Sequence, residues 1–162
     1  MHRLLTLTVL LIFLAACAPA SPVSPKPTQA APEATQPAAP LEGQWTIRMI
    51  QSGGIMGLMR VIEISSDGSY TVIDERASKT VTDKLAASGL TELQGLLATA
   101  RLSSPVTGPS VCADCFNYDI EISSEDTARP SKYHLDDTTL SNSGMAELVD
   151  FLRGLMDEAL AK

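Results

Sequence analysis

The residues best placed to do chemistry are the cysteines of Cys112-Ala113-Asp114-Cys115. A Cys-x-x-Cys pair serves a dithiol redox site, half of a zinc site or a structural disulfide. A thioredoxin-like site places the pair at a helix start after a buried parallel strand, whereas this pair follows a loop and precedes an alternating, antiparallel-type strand. A tetrahedral zinc site needs four ligands, and only His134 is left to join the pair if Cys17 is modified. Outside the cytoplasm an even pair oxidises to a local bridge, so the structural disulfide Cys112–Cys115 is the favoured reading among the three.

The adjacent carboxylates Asp136-Asp137 invite a general acid–base reading, but neighbours on a strand point to opposite faces and do not share one proton. A turn or helix-approach role is expected for them. His134 stands alternate to Tyr133 and Leu135, where a solvated imidazole is the ordinary outcome, and no nucleophile is marked beside it for a serine triad. Asp67-Gly68 lacks the alternating oxygen ligands of a calcium loop and reads as turn chemistry. No catalytic residue, metal site or cofactor is assigned.

A different kind of candidate is Ser52-Gly53-Gly54-Ile55-Met56-Gly57. A phosphate cradle needs a following Lys and a helix start, and here a strand follows. A flexible hairpin loop would satisfy the glycines, but two large apolar residues at a loop tip fold back on the core or meet a partner. Both outcomes are open at this point, with the partner-binding loop carried forward.

Residues 1–16 run from a basic start through the apolar stretch Leu4 to Leu14 into Leu14-Ala15-Ala16-Cys17, the pattern of a lipoprotein signal peptide. Its apolar core is about 11 residues, short of the roughly 20 a membrane-crossing helix needs. Cys17 is expected to be lipidated and to begin the mature chain, which would leave it outside the cytoplasm and attached to the membrane through the lipid anchor. Residues 17–40 are rich in Pro and Ala, hold seven of the ten prolines, and read as an extended tether. Acidic residues number 19 against 12 basic, a formal charge of −7, and no basic patch offers itself to nucleic acid.

These candidates need a scaffold, and residues 41–162 have apolar content for one core. Gln44 to Gln51 alternates Trp45, Ile47 and Met49 on one face; Gly57 to Ser65 and Ser69 to Glu75 follow as strands, the latter two joined by an Asp-Gly turn. A stretch around Thr80 to Thr82 is less sharply patterned. A helix capped by Ser88 is predicted to reach Ala100 with Leu90, Leu93 and Leu97 on one stripe. Phe116 to Ser123 alternates cleanly, Lys132 to Asp136 pairs with it, and Met145 to Ala159 forms an amphipathic helix after a Ser143 cap. The predicted fold is α+β, an antiparallel sheet of four to five strands with two helices packed on one face.

The pattern Ile50-Gln51-Ser52-Gly53-Gly54, then Gly57 and Arg60, a helix with paired leucines, Phe116-Asn117-Tyr118 leading a strand and a final amphipathic helix resembles the emfourin family over about Trp45 to Leu155. Emfourins are small proteins named for inhibiting protealysin, a thermolysin-like zinc metallopeptidase. The resemblance implies a non-enzymatic inhibitor of such a peptidase, an enzyme class that prefers a bulky apolar side chain just after the scissile bond. The lipobox-like ending, the tether and the Cys112/Cys115 pair depart from the simplest members. The alternative expectation is a cell-envelope interaction module that inhibits no peptidase.

Overall fold

A computed structural model describes residues 43–100, 112–125 and 129–162. Cys17, the signal segment and the tether lie outside those residues. The chain forms β1 (Trp45–Gly53), β2 (Leu58–Ser65), β3 (Ser69–Asp74), β4 (Lys79–Lys84), α1 (Ala87–Ala100), β5 (Phe116–Ser124), β6 (Ser131–Asp136), α2 (Asp137–Leu140) and α3 (Ala146–Ala161). The class is α+β. One six-stranded sheet runs β4-β3-β2-β1-β5-β6, with every neighbouring pair antiparallel.

Period-2 alternation decides which side chains enter the core. Trp45, Ile47 and Met49 of β1 lie on the same buried face as Ile62 and Ile64 of β2, Tyr70 and Val72 of β3, and Tyr118, Ile120 and Ile122 of β5. Leu93 and Leu97 of α1 and Leu148, Val149, Leu152 and Met156 of α3 complete the same cluster. Sheet and helices therefore share one core, as the layered arrangement requires.

The sheet is larger than the sequence reading anticipated. β4 supplies the extra strand: in Lys-Thr-Val-Thr-Asp-Lys only Val81 packs against the core, so an edge strand of polar residues leaves almost no hydrophobic signal. α2 is a third helix of only 4 residues, too short for any periodicity to register. Neither predicted serine cap is used as expected. Ser88 lies inside the first turn of α1, which begins at Ala87. Ser143 donates its hydroxyl to the Leu140 carbonyl (2.7 Å) and accepts the Met145 N–H (3.0 Å), joining α2 to α3, whose N-cap position is Met145 without a side-chain cap.

Asp136 and Asp137 take separate roles, in line with their opposite directions on the chain. Asp136 is buried and caps α2, accepting the N–H groups of Thr138 and Thr139 at 3.0 and 2.9 Å. Asp137 reaches back to β5, as described below.

Candidate partner-binding loop

The hairpin between β1 and β2 is built from its glycines. Gly53 pairs with Leu58, leaving Gly54 to Gly57 as a four-residue turn closed by the Gly57 N–H donating to the Gly54 carbonyl at 2.9 Å. Gly53 and Gly54 have φ of 94° and 68°, in the left-handed region that side chains disfavour. Close approach reinforces that demand. A Cβ on Gly53 would stand 2.5 Å from the Cys115 carbonyl oxygen, and one on Gly54 would stand 2.6 Å from Cε1 of Phe116.

The element that crowds these glycines is the entry to β5. The sulfurs of Cys112 and Cys115 are at disulfide-bonding distance, with Cα atoms 5.4 Å apart. The Cys115 carbonyl then accepts the Gly54 N–H at 3.0 Å. Asp137 anchors the start of β5 from its other side: Oδ2 accepts the Phe116 N–H and Oδ1 accepts the Tyr118 hydroxyl, both at 2.9 Å. Burial, then the hydrogen bond to Asp137, pushes the Tyr118 hydroxyl up to about 12, so it remains a proton donor to Asp137 through neutral pH.

Between these supports the tip is presented to solvent. Ile55 is 88 % exposed and Met56 74 % exposed, and with Met59 they are the exposed large hydrophobic residues of the described chain. Folding back on the core, one of the two outcomes open to this loop in the sequence, does not occur. Ser52, the remaining member of the candidate segment, is half-buried and paired with Met59 and Asn117 within the sheet.

The loop also forms one wall of a groove of about 560 Å³, whose lining includes Gln51, Ile55, Met56, Leu58, Phe116 and Arg153. Arg60 borders it while held in two ion pairs, to Asp74 (3.1 Å) and to Asp157 of α3 (2.8 Å). Asp74 also accepts the Ala77 N–H at 2.9 Å, and that bond, aided by Arg60, holds its carboxyl below the usual carboxylate range against the opposing effect of burial. β2, the β3–β4 turn and α3 are thus joined beneath the loop. In the sequence Arg60 stands only as a motif residue, and its partners lie 14 and 97 positions away, where no sequence pattern connects them.

The remaining candidates lie elsewhere. His134 and Asp119 pair across β6 and β5 with Nδ1 to Oδ1 at 2.6 Å, both well exposed to solvent. Asp67 serves the β2–β3 turn, accepting the Ser69 N–H and hydroxyl at 2.9 and 2.6 Å. Among the described residues no three His, Cys, Asp or Glu side chains are grouped to hold a metal, and no helix is long and apolar enough to cross a membrane. In comparisons with known proteins, no family model matches the chain and no curated protein matches it.

Proposed function

We propose that this chain is a binding protein outside the cytoplasm, attached to a membrane by lipid on Cys17, that inhibits a thermolysin-like metallopeptidase. The observation that carries the reading is the solvent-facing pair Ile55 and Met56 at a tip whose neighbours are fixed. Buried apolar anchors supply much of the energy of an interface, and an anchor already held in place loses little entropy on docking. A peptidase pocket that takes a bulky apolar side chain is matched by either residue. The glycines on both sides keep side-chain bulk away from a cleft wall.

The path of β1 supports the same reading. The described chain enters at Gly43, next to the start of β1, and the tip follows the end of that nine-residue strand. At about 3.4 Å per residue the two lie roughly 30 Å apart, so the tip is at the end of β1 opposite the one where the described residues begin. The likeness to emfourins names the target class, and the tip supplies the chemistry it requires.

The test is an inhibition assay with a thermolysin-like peptidase, titrating the purified chain against a fixed enzyme concentration. Loss of peptidase activity that saturates with added chain is the expected result. Full activity at a large excess of chain would leave an interaction module without this target.

A further inference from the structure

The groove beside the tip contains a polar group that the fold does not use. Gln51 is only 4 % exposed, and its side chain makes no hydrogen bond with any described residue. It continues the series Trp45, Ile47, Met49 on the core side of β1, where its neighbours across the sheet are Arg60 and Tyr118. Those neighbours are committed: Arg60 to Asp74 and Asp157, and the Tyr118 hydroxyl to Asp137. Its amide is not among the polar groups sealed inside the fold without a partner, and Gln51 lines the groove with Leu58, Phe116, Ile55 and Met56 around it.

We infer that this groove is a receptor for an extended, uncharged peptide segment, with the Gln51 amide pairing with the segment's main chain and the apolar lining taking one bulky side chain. A primary amide offers one acceptor and two donors, the complement of a peptide group's N–H and C=O. The charge of the lining points to the same ligand. In a chain of formal charge −7, the groove is bordered by two arginines, Arg60 and Arg153, and two aspartates, Asp114 and Asp157. That balance selects neither an anion nor a cation and suits a neutral group with both poles of a dipole. The volume, about 560 Å³, is in the range of sites that enclose a small ligand or a few residues of peptide. The inference rests on Gln51 and its surroundings and does not require the target to be a peptidase. In a complex, the tip would enter the partner while the groove receives a segment of it.

The experiment uses the full chain, isotopically labelled, and a tripeptide with a central leucine, acetylated at its N-terminus and amidated at its C-terminus. Nuclear magnetic resonance should show saturable shifts of the Gln51 side-chain amide and of Phe116 on titration with millimolar peptide. Gln51→Met keeps the volume and removes the amide. It should weaken peptide binding at least about tenfold, the effect of losing roughly 1.4 kcal/mol, while leaving the melting temperature almost unchanged because the amide makes no hydrogen bond with the described residues. Absence of a saturable shift at Gln51 in the parent chain would overturn the inference whatever the variant does. Undiminished peptide binding by Gln51→Met, or a fall in its melting temperature, would also overturn it by showing the amide to be unused or structural. Peptide binding with no inhibition of a thermolysin-like peptidase would support the groove while removing that target.

Discussion

The N–H of Gly54 donates to the carbonyl of Cys115 at 3.0 Å, so the turn that carries the apolar tip is fastened to the turn that the two cysteines close. Two segments separated by about sixty positions in the chain are joined at one end of the sheet. The tip residues are free to meet a partner while the backbone that presents them is not free to collapse, which is the property an interface anchor needs.

The close approach that makes this contact possible predicts a marked asymmetry among glycines. Gly53→Ala should destabilise the domain by about 1–3 kcal/mol, since it combines a left-handed φ with a contact of 2.5 Å to backbone that does not move aside easily. Gly95→Ala is the control. Gly95 lies within α1 with open space around the added methyl, and the change should stabilise the domain by up to about 1 kcal/mol. Urea unfolding of the two variants beside the parent measures both.

Mass spectrometry without reduction should find Cys112 joined to Cys115, and reduction should speed amide exchange at Gly54, whose acceptor is the Cys115 carbonyl. A short loop of this kind contributes local rigidity more than global stability. The melting temperature is therefore expected to move less than the exchange rate. Two thiols that alkylate readily in protein kept under oxidising conditions would contradict the bridge.

Tyr118→Phe removes the hydroxyl that Asp137 accepts and should cost about 1 kcal/mol at neutral pH. The pH dependence carries a sign. Because burial and Asp137 raise the folded-state value to about 12, above the ordinary 10, the stability this group contributes is fully present below pH 10 and is lost as the pH climbs toward 12. The gap between parent and Tyr118→Phe should accordingly narrow above pH 10, as followed by denaturant unfolding at a series of alkaline pH values.

Most of the scaffold was legible because its residues repeat at the period of their element. Trp45, Ile47 and Met49, the run Phe116 to Ile122, and the stripe of α3 all enter the core as their spacing requires. Extending the first series by one step would have placed Gln51 on the buried face and marked it as an anomaly. β4 was hard to see because an edge strand needs so little apolar content, and α2 because one turn has no period. The Arg60 pairs could not be read, since ion pairs between distant elements leave no trace in local sequence. The state of the loop was open for a different reason. Glycines permit both a buried and an exposed tip, and the crowding by Cys115 and Phe116 that settles its path comes from another part of the chain.

The measurement closest to the central claim compares the parent chain with the double variant Ile55→Ala, Met56→Ala for inhibition of a thermolysin-like peptidase and for thermal unfolding. Both side chains are exposed, so their truncation should leave the melting temperature almost unchanged. Loss of the anchor should weaken inhibition by about thirtyfold or more, corresponding to roughly 2 kcal/mol. Inhibition by the double variant equal to that of the parent, or no inhibition by the parent itself, would contradict the assignment of this loop as the inhibitory element.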